Sequence, residues 1–304
     1  MARSPQYVLG QTEPFKLSRA KIEEYIRCAR CFVLDVRQGI KKPGGVPFTL
    51  NVAVDNQMKK EFDQYRASAK PHPIVEFNGL ELVPFQHPDL DVWRNNFKGV
   101  TATSDNGAFL ITGAVDDVWV DAEGQLYVVD YKATGRQQAV TELGEGGFYD
   151  GYRRQMEIYQ WLLRKNGFKV SDTGFWVYVT ATQKQDSFEN TLHFESNLIS
   201  YTGSTDWIDS KLAEIKEALD WEEVPPPGDD CDVCRFFESR YEEMKSEEDI
   251  TWPKCDKCGE RLSRTIYGLM PGDPPKGFAS MGCIVGENDP AWICPKCDLE
   301  DSGH

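Results

Sequence analysis

Apolar positions recur along the chain at two periods, and the changes between them mark out its elements. In residues 48–67, FTLNVAVDNQMKKEFDQYRA, the residues Leu50, Val54, Met58 and Phe62 return every fourth position, which predicts a helix with one apolar face. Asp55 falls one residue past that stripe, at its edge. Upstream, Ile22, Tyr25 and Ile26 form a shorter helical stripe. Ser18 is placed to cap that helix, with Leu17 and Ile22 at the staple positions, and the helix carries Cys28 and Cys31 near its end. Residues 41–45, KKPGG, read as a loop. Residues 68–100 contain the turn-like segments PHP and HPDLD, with Trp93 and Phe97 expected to pack and His72 and His87 read as structural.

The period changes to two over residues 108–134, AFLITGAVDDVWVDAEGQLYVVDYKAT. The stretch predicts two long strands joined by a turn at DAEG, 121–124, with Gly at the position that tolerates positive φ. Asp116 and Asp117 sit within the first strand, whose alternation is imperfect. The second, LYVVDY, is apolar throughout and β-prone, as in a strand covered on both faces. A polar, Gly-rich loop fills 135–148. Residues 149–167 then predict an amphipathic helix with Tyr152, Met156, Tyr159, Leu162 and Leu163 on its apolar side and Gly167 as C-cap. A buried-type strand at 174–182, a partner at 188–196 and a helix at 204–220 follow. After the EEVPPPGDD linker come CDVC and a short acidic helix. The order predicts an α/β fold over 1–248 and a separate small domain over 249–304, with no internal repeat beyond the recurring CxxC.

The 304 residues contain no apolar run near the roughly 20 needed to span a bilayer. The first residues lack the apolar core of a signal peptide, so a soluble cytoplasmic protein without a membrane role is expected. Eight of the nine cysteines form four CxxC pairs, which in such a chain read as metal ligands before disulfides. The formal net charge of −15 is unusual for a nucleic-acid protein, but it is uneven. Residues 16–42 hold eight basic and three acidic side chains, whereas 229–249 hold nine acidic and three basic.

The hairpin carries the candidate chemistry. A turn between strands brings Asp116 opposite Asp130, and Lys132, two residues on, shares the face of Asp130. Two carboxylates can hold Mg²⁺ or Mn²⁺, which neutralises a phosphodiester and activates water. A lysine beside them can orient that water and offset phosphate charge. The alternative is a surface salt-bridge ladder, which the apolar run ending at Asp130 disfavours. Gln155 and Tyr159 lie four apart, on one face of the following helix. They could reach a nucleotide, or Tyr159 could be core and Gln155 solvated.

GAVDDVW, VVDYKAT and QMEIY resemble, in order and approximate spacing, the G-x-x-D, (D/E)-x-K and Q-x-x-x-Y motifs of the PD-(D/E)XK nuclease superfamily, in particular its RecB-like branch. The resemblance covers roughly 17–240 and implies a restriction-endonuclease-like core, a mixed central sheet flanked by helices. It implies Asp116 and Asp130 as ligands of Mg²⁺ or Mn²⁺, Lys132 as the catalytic lysine, and Gln155 and Tyr159 on the substrate side. Asp117 stands where the family places arginine. Asp55 lies near the helix position that often offers a histidine, and is either an extra metal ligand or a plain helix charge.

Cys28 and Cys31 precede this core and Cys231 and Cys234 follow it, so the four could share one metal and clasp the domain ends. The arrangement resembles the CRISPR-associated exonucleases and AddB-type nucleases, where one early and three late cysteines hold a four-iron four-sulfur cluster. Here Arg240 lies where the third late cysteine is expected, and two CxxC pairs suit Zn²⁺ equally. Cys255, Cys258, Cys294 and Cys297 resemble a zinc ribbon, and Cys283 is left over. The expected function is a metal-dependent DNA nuclease acting on single strands or ends as an exonuclease, with protein contacts through the ribbon. The alternatives are an inactive interaction module that keeps the fold, and a zinc-ribbon adaptor whose first domain is scaffold.

Overall fold

A computed structural model describes residues 5–44, 48–247, 253–266, 278–280 and 290–298. The chain divides into two compact units, Met1–Cys234 and Arg235–His304.

In the first unit, β1 (Phe15–Ser18) leads into α1 (Arg19–Arg27). The Ser18 hydroxyl accepts from the Lys21 N–H at 3.4 Å, and Leu17 and Ile22 are buried, as the cap and staple pattern requires. The expected single helix through both cysteines is instead broken at Cys28, whose extended backbone ends α1 and starts α2 (Ala29–Gln38). There Cys28 Sγ accepts from the Cys31 N–H at 3.5 Å, the role an N-cap oxygen would play. α3 (Thr49–Ser68) is the expected second helix, with Met58 and Phe62 buried but Leu50 exposed. A strict four-residue repeat overshoots each 3.6-residue turn by about 40°, so the stripe drifts off the buried face.

α4 (Pro73–Phe77), β2 (Val83–Pro84) and α5 (Leu90–Trp93) occupy the turn-rich stretch. His72 caps α4 through Nδ1 and stacks on Phe62, and His87 stacks on buried Trp93, so both histidines are structural. Phe97, expected to pack, is exposed.

The largest departure concerns the first strand of the expected hairpin. It is two strands in two sheets. β4 (Phe109–Gly113) lies between β1, parallel, and β3 (Val100–Thr103), antiparallel. β5 (Asp117–Val120) belongs to a five-stranded sheet ordered β2-β5-β6-β7-β8, with β6 (Leu126–Arg136), β7 (Thr173–Thr182) and β8 (Phe194–Thr202). The chain leaves one sheet at Gly113 and enters the other at Asp117, where the alternation of apolar residues was imperfect. β8 also begins later than expected, since Ala181 pairs with Phe194.

β6 and β7 are parallel and joined through α6 (Gly147–Lys165), whereas the other neighbours in this sheet are antiparallel. The sheet is covered on both faces. Val118, Val128, Trp176 and Tyr178 join Met156, Ile158 and Leu162 of α6 and Ile208 and Leu212 of α7 (Trp207–Asp220) in one core. Trp119, Val129, Tyr131, Phe175 and Val177 meet Met58 and Phe62 of α3 in the other. This mixed α/β arrangement of sheets flanked by helices is the expected fold class. α8 (Asp232–Glu247) begins at the second pair of cysteines.

In the second unit, β9 (Ser263–Ile266) lies between β10 (Phe278–Ser280) and β11 (Trp292–Ile293). Gly259, at φ +75°, donates its N–H to Cys255 O at 2.8 Å and closes the turn around the first pair of cysteines. Cys283 lies outside the described residues. Among these, no helix is long and apolar enough to cross a membrane.

Candidate active site and metal centres

The β5–β6 ladder pairs Asp117 with Val129, so its next step sets Asp116 beside Asp130. Asp116 Oδ2 accepts the Tyr131 N–H at 3.0 Å, which turns its carboxylate over β6. Alternation along the strands then separates the two adjacent aspartates. Asp116 shares a face with Asp130 and Lys132, and Asp117 points to the other, with Tyr131.

Asp130 is fully buried and forms an ion pair with Lys132 through Oδ2. Oδ1 accepts from Gln155 Nε2 at 2.9 Å. Among the described residues Oδ2 has no partner beyond that ion pair. Gln155 ties the cluster together, since Nε2 also donates to the Tyr159 hydroxyl at 3.0 Å and Oε1 accepts from Lys132 Nζ at 3.3 Å. Gln155 is thus buried rather than solvated, and the four residues form one network. Burial pushes the Asp130 carboxyl up to about 6; Lys132 opposes the rise and Asp116 adds to it. Burial pulls the Lys132 ammonium down, but Asp130 and Asp116 outweigh it and hold its pKa above the ordinary value. Lys132 therefore stays cationic in this environment. Tyr159 is raised by burial, with the Arg19 cation opposing.

Asp55 is drawn toward this cluster through a residue the sequence reading did not single out. Lys59 Nζ bonds Asp55 Oδ2 at 2.8 Å and Asp116 Oδ1 at 3.0 Å. Burial and the Asp116 charge raise the Asp55 carboxyl, against Lys59. The i, i+4 spacing of Asp55 and Lys59 was the available signal.

Asp117 is buried and heavily paired. Its Oδ1 accepts from Arg66 Nη2 at 2.6 Å and Arg94 Nη2 at 3.2 Å, and its Oδ2 accepts the Tyr131 hydroxyl at 2.7 Å. Arg94 Nε also donates to the Asp116 carbonyl at 2.9 Å, so this buried cluster fixes the backbone that carries Asp116. The charge at the position the family gives to arginine is therefore neutralised from α3 and the end of α5. Two further groups reach the site without having been expected there, Tyr152, read as part of the apolar side of its helix, and Arg19. Lys132 Nζ sits 4.3 Å from the Tyr152 ring centroid. Arg19, at the start of α1, makes no hydrogen bond or ion pair among the described residues, yet its charge acts on both Asp130 and Tyr159.

The donor set suits a hard divalent cation. Asp116 and Asp130 neighbour each other across the β5–β6 pairing, and among the described residues the buried Oδ2 of Asp130 meets only the Lys132 ammonium, which leaves a carboxylate lone pair for a cation. A model of the PD-(D/E)XK nuclease superfamily matches residues 52–258. The chain belongs to the PD-(D/E)XK nuclease superfamily. The match spans the β5–β6 hairpin and α6 but starts after Arg19, Cys28 and Cys31. No curated protein matches the chain. Enzymes of this superfamily are in general metal-dependent phosphodiesterases, and their substrate is nucleic acid.

Two four-cysteine groups stand apart from the carboxylates. Cys28, Cys31, Cys231 and Cys234 lie with all sulfurs within 4.8 Å of one another, as do Cys255, Cys258, Cys294 and Cys297. Each group could hold zinc or an iron–sulfur cluster. In the first, Cys31 Sγ is 3.6 Å from Cys231 Sγ and 3.5 Å from Cys234 Sγ. The Cys28 thiol is lowered to about 7; burial works against this, but the Gly228 and Cys31 N–H groups point at its sulfur. In the second, Cys258 and Cys294 are 3.6 Å apart and Cys255 and Cys297 4.0 Å. Backbone N–H groups of the knuckle lower the Cys255 thiol to about 7.

Proposed function

We propose that the first unit is a metal-dependent deoxyribonuclease of the RecB-like type, hydrolysing phosphodiester bonds in single strands or at DNA ends as an exonuclease. The observation that carries this reading is the Asp116–Asp130–Lys132 cluster, built from the residue that leads into β5 and from β6, and held by Gln155. Asp116 and Asp130 would hold the cation, with Asp55 reaching it only if Lys59 moves aside. Bound there, Mg²⁺ or Mn²⁺ supplies positive charge to the phosphate and lowers the pKa of water.

The chain's own residues complete the chemistry. Lys132, held protonated, sets a fixed positive charge against the phosphate oxygens as charge develops on them. Gln155 fixes the rotamers of both Asp130 and Lys132, so the cluster reorganises little during reaction. Arg19, which makes no hydrogen bond or ion pair among the described residues, adds a positive charge felt by Asp130 and Tyr159.

For the cysteine groups we favour zinc. A tetrahedral ion with Zn–S bonds of about 2.3 Å spaces its sulfurs by roughly 3.8 Å. The separations of 3.5–4.0 Å agree with that value. A four-iron cluster places each sulfur on a different iron and spreads them further. The first site would clasp the ends of the nuclease domain, and the second would staple a zinc-ribbon-like domain suited to protein contacts.

Incubation with end-labelled single- and double-stranded DNA in Mg²⁺, Mn²⁺ or chelator tests the reading. Cleavage with either metal and none with chelator is expected. Binding without cleavage under every condition would favour the inactive interaction module instead.

A further inference from the structure

Three aromatic rings and a cation line the approach to Lys132 without a part in the cluster just described. In the first two turns of α6, Phe148, Tyr149 and Tyr152 form a ring cluster, with centroids 5.4 Å apart for Phe148–Tyr149, 4.9 Å for Phe148–Tyr152 and 6.3 Å for Tyr149–Tyr152. Its inner member, Tyr152, lies against the Lys132 ammonium. Its outer member, Phe148, is 57% exposed. Arg136, exposed at the end of β6, donates from Nη2 to the Tyr149 hydroxyl at 3.3 Å. Lys132 and Arg136 are four residues apart on one strand, so alternation puts both on the same face. The groups therefore run outward from Lys132 as ammonium, ring, exposed ring and guanidinium.

We propose that Phe148, Tyr149, Tyr152 and Arg136 form a binding platform for the unpaired nucleotide beside the scissile phosphate, Phe148 stacking on its base and Arg136 meeting a neighbouring phosphate. The proposal rests on the nuclease reading of Lys132, which fixes where the phosphate lies. A lone exposed phenylalanine needs no explanation. One that continues a ring cluster to the candidate catalytic lysine, with a cation alongside, has the composition of a single-strand site, aromatic faces plus positive charge along the backbone. The occupant follows from stacking geometry. Within a duplex both faces of a base are covered by its neighbours, whereas a single strand or frayed end leaves one free. Every base has such a face, so the platform selects strand state and tolerates sequence.

Fluorescence anisotropy with a labelled oligothymidylate and an abasic oligonucleotide of equal length tests this, in buffer without added divalent cation and with a gel to confirm intact probe. Phe148→Ala is expected to weaken oligothymidylate binding about tenfold, the loss of one base–aromatic contact. It should leave abasic binding unchanged, and Phe148→Trp should restore the loss. Circular dichroism matching the wild type excludes unfolding. The platform is rejected if Phe148→Ala binds both probes as the wild type does, loses both equally, or if the wild type binds neither. Metal-dependent cleavage by the wild type, measured against Lys132→Ala, judges the nuclease reading separately. Intact cleavage together with unaltered Phe148→Ala binding would reject the platform alone.

Discussion

Replacing Asp130 by Asn should reverse part of the pH dependence of stability. The buried carboxyl titrates at about 6 against an ordinary 3.8. Between those values the folded chain keeps a proton that the unfolded chain has lost. The group's contribution to stability is therefore fully present below pH 3.8 and is lost as the pH rises through 6. The whole effect is about 3 kcal/mol, at about 1.4 kcal/mol per pH unit. It is not discounted for solvent screening, because Asp130 is fully buried. Between pH 4.5 and 8 about 2 kcal/mol of it is lost. Asn cannot ionise, so this loss should be missing from Asp130→Asn. Urea unfolding followed by tryptophan fluorescence, at both pH values and without added divalent cation, gives the double difference. The Lys132 ion pair forms only with the ionised carboxylate and is already contained in the folded-state value of about 6, while pH-independent costs of the substitution cancel in the double difference. Adding Mg²⁺ at pH 8 should then stabilise the wild type and not the variant, since only the wild type keeps both carboxylates. Parallel pH profiles for the two proteins would refute the reasoning.

Asp117→Asn should destabilise the first unit by about 1–3 kcal/mol, because Arg66 and Arg94 would lose their buried charge partner and keep, among the described residues, only the half-exposed Asp63; thermal unfolding reads this directly. Gly113→Ala should cost about 1–3 kcal/mol and lower cleavage as well, because an added Cβ would stand 2.7 Å from Tyr159 Cε1 and 2.8 Å from Leu162 Cδ1. The melting temperature and the turnover number should fall together; a free substitution would show that the backbone yields there. Elemental analysis should find two zinc ions per chain, one for each four-cysteine group. Cys28→Ser and Cys255→Ser should each remove one, whereas iron with absorbance near 400 nm would contradict the zinc assignment.

The candidate site was legible because its parts are close in sequence and obey simple periods. A turn at 121–124 and a two-residue alternation suffice to set Asp116, Asp130 and Lys132 on one face. The break between β4 and β5 was not legible. Residues on both sides favour strands, and only distant partners, β1 and β3 for one and β6 and β2 for the other, separate them. The fate of Asp117 was hidden for the same reason, since Arg66 and Arg94 lie 51 and 23 residues away. Lys59 was accessible from its spacing to Asp55. Arg19 was not, since nothing local says that a basic residue beginning α1 will act on Asp130. The grouping of Cys28 and Cys31 with Cys231 and Cys234 followed from their places at the two ends of one domain. The double capping role of Cys28 needed coordinates.

If the hairpin cluster cuts phosphodiester bonds as proposed, Lys132 supplies the fixed positive charge that the reaction needs. Single-turnover cleavage of end-labelled single-stranded DNA in Mg²⁺ should be compared for the wild type, Lys132→Ala and Lys132→Met. The wild type should cleave, and both variants should fall by about 10²–10³-fold, the usual cost of removing one preorganised electrostatic contact to a transition state. Cleavage by Lys132→Ala at the wild-type rate, or no metal-dependent cleavage by the wild type, would contradict it.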